Sequence, residues 1–346
     1  MRKYLILGTL IIVVGFLIFG FYVPKNPFSE KEIIFNIEKG EGSKEIAFNL
    51  KKEDLIRDDK LFRFYVLTTG VLGKLQAGTY LLSPSMNIPK IAVKFAEGDV
   101  VKEKITIIES WNLREIGFYF ENKGMFMAEE LWEIAGFPAI DYSKAIDLPK
   151  PKDFSQDFEF LKEKPEKVGF EGYLFPDTYE IREGATLEEI VEKMLSNFDK
   201  KLTSDLREEI ANQGKTIFEI ITMASLIEKE VKTKEDRELV SGILWKRLEN
   251  DIPLQVDATI TYLTGKKNIK ISKEETQIDS AFNTYMYQGL PLGPICNPGL
   301  ESILAARYPK SSQYLYYLST PEGETIFSKT LEEHNIAKAK YLKNNE

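Results

Sequence analysis

Two side chains that carry much of enzyme chemistry are nearly missing from this sequence of 346 residues, which holds one cysteine, Cys296, and one histidine, His334. By themselves they cannot assemble a zinc site, a disulfide, or a Ser-His-Asp triad with a histidine to spare. Chemistry must therefore rest on carboxylates, hydroxyls and amides, and neither a metal nor a cofactor is expected. Positive charge is short as well: 46 Lys and Arg stand against 54 Asp and Glu, a net charge of -8. No basic stripe is present to neutralise phosphates, so nucleic acid is not an expected partner. Apolar residues, at 43%, and aromatic residues, at 12%, are plentiful enough for one large core or several smaller ones, which excludes disorder.

The long apolar run is at the start. Tyr4 to Val23 carries no charge, and a helix of about 20 such residues spans about 30 Å of hydrocarbon. Arg2 and Lys3 precede it and Lys25 follows. Positive-inside bias keeps the N-terminus cytoplasmic and sends the rest outward. Gly20-Phe21-Tyr22 is a poor cleavage site, so residues 1–25 are expected to be a stub and an uncleaved transmembrane anchor.

Beyond the anchor two segments look alike. Phe35 to Gly40 followed by Lys44 to Leu50 matches Ile105 to Ser110 followed by Arg114 to Phe120. In each, a short alternating strand meets a turn, and a helix follows whose apolar residues (Ile46 and Leu50; Ile116 and Phe120) lie four apart on one face. Gln76 to Leu82 reads as a strand and Ile88 to Phe95 as a helix ending near Gly98. The Pro-, Lys- and acid-rich stretch from Pro149 to Pro165 reads as a boundary. The expected division is a module at 30–102, a related module with linker at 103–165, and a domain at 166–346. Within that domain helices are expected from Thr216 to Val231, from Lys234 to Asn250 and near Leu300 to Arg307. An ordered Gly- and Pro-rich loop is expected at 283–300, and a strand at Tyr314 to Ser319.

The first of those helices holds the candidate chemistry. Ile217, Ile220, Ile221, Ala224, Ile227 and Val231 form one apolar stripe, and Met223 and Leu226 form a second patch on the far side. Glu228 lies beside the first and Glu230 beside the second. Loss of hydration raises a carboxyl's pKa toward that of a general acid. Periodicity does not choose between the two, nor between this reading and a solvated pair bridged to Lys229, Lys232 or Lys234.

Met223-Ala-Ser-Leu-Ile-Glu-Lys-Glu230 resembles the active-site helix of the YceG-like, or MltG-type, endolytic murein transglycosylases. Phe170 to Tyr179, Leu254 to Thr259, Ala281 to Tyr285, Gly289 to Pro294, Asn297 to Gly299 and His334-Asn335 are similar to further motifs of that family, in its order. The resemblance implies an α+β chain in which a transmembrane helix and small LysM-like α/β modules precede a mixed α+β catalytic domain. It also implies Glu230 as the catalytic acid and base, with Glu228 as its structural neighbour. The activity implied is cleavage of the MurNAc-GlcNAc bond of peptidoglycan with formation of a 1,6-anhydro end, by a domain outside the cytoplasmic membrane, with wall synthases as neighbours. Gln255, Asp257, Asn283 and Tyr285 are candidates for the sugar-binding cleft, with Glu228 beside them. Asp257 paired with Glu230 leaves a water-using hydrolase open, and the duplicated modules leave open a wall-binding scaffold without catalysis. Glu171, Asp177 and Tyr179 are expected to hold the entry loop, and His334 to cap the C-terminal segment. The chain departs from relatives at Val231, where many lytic transglycosylases carry a hydroxyl, and at Thr325, where they often carry a histidine.

Overall fold

The structure is a computed structural model that describes residues 2–266 and 271–342, the side chains of Arg2 and Leu5 excepted. Its contacts divide into two compact units, Met1–Ile105 with Tyr179–Ala185, and Thr106–Thr178 with Thr186–Glu346.

The first unit opens with α1 (Arg2–Tyr22). This helix is apolar around its whole circumference and buries none of its described side chains; Ile6, Ile11 and Phe16 are each 63% exposed. Among the described residues no helix is long and apolar enough to cross a membrane. The end of α1 is tied down: the Phe21 ring stacks on Phe64 at 6.2 Å, and Arg57 donates to the carbonyls of Val23 and Lys25. Then come β1 (Ile33–Ile37), α2 (Ser43–Lys52), α3 (Asp59–Thr68), β2 (Gly78–Leu82) and α4 (Ile88–Glu97). β1 and β2 pair antiparallel with Phe35 opposite Tyr80. Alternation along β1 sends Phe35 and Ile37 inward, and the four-residue spacing of α2 sends Ile46 and Leu50 to meet them. Phe95 of α4 completes the core, its ring centre 4.6 Å from that of Tyr80. Asp58 caps α3 by accepting from the amides of Lys60 and Leu61, and Gly98, at φ 66°, ends α4. The unit closes with β3 (Lys102–Thr106) paired to β4 (Thr178–Arg182).

The second unit begins with α5 (Leu113–Asn122) and α6 (Ala128–Ala135), so the chain runs strand, two helices, strand twice over. In the second pass the returning strand comes only after residues 136–177. That stretch is irregular apart from one tight turn at Glu159–Glu163, and it packs within the second unit, so the unit has no border at residue 165 or 166. There follow α7 (Leu187–Lys201), α8 (Ser204–Asn212), α9 (Ile217–Glu230), α10 (Lys234–Glu249), α11 (Asp257–Thr264), α12 (Leu300–Arg307), β5 (Tyr316–Ser319), β6 (Thr325–Ser328) and α13 (Leu331–Tyr341). β5 and β6 form an antiparallel hairpin with Tyr317 opposite Phe327; the strand β6 has no counterpart in the sequence reading.

α9 is the axis of this unit. Thr216 and Glu219 cap each other's backbone at its start, and from Ile220 to Ile227 every side chain is buried, with α10, α11 and α12 packed around it. Its hidden hydroxyls are satisfied: Ser225 Oγ donates to the Thr222 carbonyl at 2.7 Å and accepts the Ile295 amide at 3.0 Å. Gly172 has φ 88°, and a Cβ there would stand 2.6 Å from Pro294, so the entry loop can lie against α9 only with glycine at this place.

Candidate active site

Glu230 is the last residue of α9, and Val231 leaves the helix in extended conformation. The free carbonyls of a final helical turn make a poor neighbourhood for an anion. Burial is the main force on the Glu230 carboxyl, followed by the charge of Asp257; together they push its pKa up to about 7, against a hydrogen bond from the Tyr317 hydroxyl that favours the anion. Tyr317 comes from β5, and two residues on, Ser319 Oγ donates to the Glu230 carbonyl at 3.3 Å.

Asp257 opens α11 and is exposed, and its carboxylate accepts the Tyr285 hydroxyl. Burial first, then that hydrogen bond, raises the Tyr285 phenol above its ordinary range and keeps it a donor. Arg247 of α10 lies among the same groups. Its guanidinium donates to the Pro253 carbonyl at 2.6 Å and to Gln255 Oε1 at 3.2 Å, and sits 5.7 Å from the centre of the Tyr316 ring. Gln255 adopts φ 52°, the left-handed region that non-glycine residues seldom enter, and its amide donates to the Thr284 carbonyl at 3.1 Å. Two carboxyls, three tyrosines, an arginine and an amide thus converge at the end of α9, all within the second unit.

Such a cluster can hold a proton near neutrality, give it up and take it back, while its phenols and amide bind hydroxyl groups. The model of the YceG-like family matches residues 35–340. The chain belongs to the YceG-like family. It is similar to the endolytic murein transglycosylase of Bacillus subtilis, 34% identical over 316 residues that cover 91% of this chain and 86% of that one. It is similar also to the endolytic murein transglycosylase of Streptococcus pneumoniae, 30% identical over 334 residues; these are 92% of this chain but 60% of the longer pneumococcal protein. A crystal structure of a YceG-like protein from Listeria monocytogenes, 31% identical, superposes with a TM-score of 0.59 over 90% of this chain and 100% of that chain.

In this YceG-like chain the residues singled out from sequence separate into two groups. Glu230, Asp257, Tyr285 and Gln255 meet, the last through Arg247. Glu228 and Asn283, expected beside them in the cleft, are held inside the fold. The Glu228 side chain is 5% exposed; it accepts the Gly299 amide at 3.2 Å and the Ser302 hydroxyl at 2.6 Å, and it lies 3.5 Å from Arg237. Asn283 is fully buried; its amide donates to the carbonyls of Thr276 and Ile278, and its oxygen accepts the Tyr285 backbone N–H at 2.9 Å. Both hold other parts of the fold in place, Glu228 the start of α12 and Asn283 its own loop.

Glu171 ties the entry loop to three partners, accepting from the Leu113 amide at 3.1 Å, the Tyr262 hydroxyl at 3.1 Å and the Asn297 amide at 3.2 Å, and burial pushes its pKa up to about 8. Asp177 accepts the Ile107 amide through its carbonyl and the Asn197 amide through its carboxylate. His334 is buried in α13 against the Tyr316 ring, 5.4 Å away, and caps no helix; Thr330 does that instead. Thr325 donates to Asp236. The hydroxyls lacking at Val231 come from β5. Tyr317, Ser319, Tyr316 and Arg247 escaped the sequence reading. One signal was available: in Tyr316-Tyr-Leu-Ser319 the period of two puts Tyr317 and Ser319 on one face, and both bond to Glu230.

Proposed function

We propose that this chain is an endolytic peptidoglycan lytic transglycosylase, which cleaves the β-1,4 bond between MurNAc and GlcNAc and leaves a 1,6-anhydro-MurNAc end. The observation that carries the reading is the state of Glu230, whose carboxyl is held near pKa 7 at the end of a buried helix with Asp257 as the neighbouring charge. A carboxyl so poised gives a proton to the leaving glycosidic oxygen and afterwards, as carboxylate, takes one from the 6-hydroxyl of the same MurNAc. The nucleophile is already part of the substrate, so proximity replaces a second catalytic carboxylate. Tyr317 holds the Glu230 carboxyl in orientation, Asp257 keeps its proton affinity high, and Tyr285 offers a ring and hydroxyl to a pyranose. Endolytic cutting of nascent strands would end their elongation. The test is mass spectrometry of a peptidoglycan digest by residues 25–346, in which 1,6-anhydro-ended fragments appear and Glu230→Gln abolishes them.

The exposed Asp257, acting on Glu230, favours a second reading, a two-carboxylate muramidase in which Asp257 works with water. Reducing MurNAc ends in the same digest would decide for it. Sacculus binding with no fragments at all would leave a wall-binding scaffold.

The enzyme is read as anchored in the cytoplasmic membrane by α1, N-terminus inside and catalytic domain outside. A helix that is apolar all round and packs little of itself against protein has lipid as its natural solvent, and Arg2 and Lys3 stand at its start. The repeated order of strand, two helices and strand supports two LysM-like wall-binding modules. Tethered there, the enzyme meets newly made strands, with wall synthases as its neighbours.

A further inference from the structure

A cavity of about 550 Å³ lies in the second unit, lined by α5 with the preceding Trp111, by Lys229 of α9, and by the Ala258, Thr261 and Tyr262 face of α11. It shares two elements with the Glu230 cluster but uses other faces of them: Lys229 precedes Glu230, and Ala258 follows Asp257. None of its lining residues belongs to the catalytic cluster described above.

Three features say what it takes. The first is an aromatic platform. Trp111 and Tyr119 lie with ring centres 5.2 Å apart, and the Trp111 backbone is fixed by Asn297, which donates to its carbonyl and accepts the Ser110 amide. The second is an indole N–H to spare. Trp132 and Trp245 donate theirs to the carbonyls of Leu113 and Ala306, each at 2.9 Å, whereas that of Trp111 has no partner among the described residues. The third is charge. In a chain of net charge -8, Arg114, Lys229 and Lys266 line the cavity against the single acid Glu115. Lys266 is paired with Glu275 at 2.6 Å, but Arg114 makes one long bond to the Tyr262 carbonyl at 3.3 Å, and Lys229 stands 3.9 Å from Glu115, beyond hydrogen-bond range. Lys229 is thus ion-paired with Glu115 without a hydrogen bond, and most of the Arg114 guanidinium donors remain for a ligand. An aromatic face suits a pyranose ring, and a fork of free cationic donors suits a carboxylate.

We propose that this pocket binds a peptide-substituted amino sugar, with the ring on Trp111 and a peptide carboxylate on Arg114 and Lys229. The identity of the ligand rests on the transglycosylase reading, and the consequence is that the enzyme senses the peptide stem at a place apart from the scissile bond.

The experiment uses the full chain carrying Glu230→Gln, so that probes are not cut, with calorimetry and tryptophan fluorescence. The probes are a GlcNAc-MurNAc-peptide with free carboxylates, the same compound amidated, and a chito-oligosaccharide. The free-carboxylate probe is expected to bind and to change the fluorescence, and amidation to weaken it about tenfold or more. Adding Arg114→Gln should cost a similar factor, and adding Trp111→Phe, a conservative change, should remove the fluorescence response. Absence of binding, equal binding of all three probes, or binding indifferent to Arg114→Gln overturns the proposal. In the otherwise unaltered chain, Arg114→Gln should lower the ratio of cleavage rates on peptide-bearing and peptide-free strands about tenfold. Fragments released with that ratio unchanged would sink this inference and leave the catalytic reading standing. Carboxylate-dependent binding without fragments would do the reverse.

Discussion

Glu228 and Glu230 stand two residues apart on the last turn of α9, both drawn away from water, and their surroundings make them different chemical groups. Glu228 faces α10 and α12, where Arg237, the Ser302 hydroxyl and the Gly299 amide meet its charge. Glu230 faces α11 and β5, where one tyrosine hydroxyl is outweighed by burial and by the like charge of Asp257. A compensated carboxylate fastens helices together, and an uncompensated one holds a proton near neutral pH. The distinction depends on which elements the helix end touches.

The comparison can be broken in several ways. The largest effect is expected from Glu230→Gln. It should lower strand cleavage about 10³-fold or more, since one group serves as acid and as base, while thermal unfolding stays close to that of the unaltered chain. Glu228→Ala should do the opposite. It leaves the Gly299 amide and the Ser302 hydroxyl without their acceptor while Arg237 keeps Glu301 at 2.7 Å, a loss of about 1–3 kcal/mol read in urea unfolding, and what stays folded should keep its activity. If Glu228→Ala were inactive and fully stable, the division between the two glutamates would be wrong.

Glu171 sharpens the comparison from a third position, being hydrogen-bonded and yet held at about pH 8 by burial. A carboxyl whose folded pKa exceeds its unfolded value contributes stability below the unfolded value, and that contribution is lost as pH rises through the folded one. Stability should therefore fall from about pH 4.5 to about pH 8 by roughly 3–5 kcal/mol, and Glu171→Gln should flatten that slope. The smallest effects concern the pH profile of cleavage, which should decline as Glu230 loses its proton above about pH 7. Asp257→Asn removes a like charge and should move that limb to lower pH. Tyr317→Phe removes a bond to the anion and should move it higher, each by about one unit. Shifts in the same direction would contradict the assigned causes.

Much of the local structure was legible. The helix expected from Thr216 to Val231 is α9, and the stripe of Ile217, Ile220, Ile221, Ala224 and Ile227 carries it to Glu230. Ile46 with Leu50 and Ile116 with Phe120 gave both halves of the duplicated pattern, and all four are buried. What composition and residue type leave open is nonlocal. The boundary expected near residue 165 rests on composition, yet residues 136–177 pack into the same unit as the helices on either side, the Phe170 amide donating to the Ala135 carbonyl of α6 at 2.6 Å and the Ile217 amide of α9 to the Glu163 carboxylate at 2.8 Å. Asn283 looked like a ligand group because amides bind sugars, and it is fully taken up by its own loop.

By itself the sequence determined the helices of the two look-alike segments, α9, α10 and α12, the apolar first helix and the family, because helix periodicity, caps and motifs are written over a few neighbouring residues. The tertiary structure alone decided which glutamate is neutralised and which is poised, and that Tyr317, Arg247 and Asp257 surround the poised one. A carboxyl's proton affinity is set by burial and by charges brought from distant parts of the chain, and those are fixed only when the chain has packed.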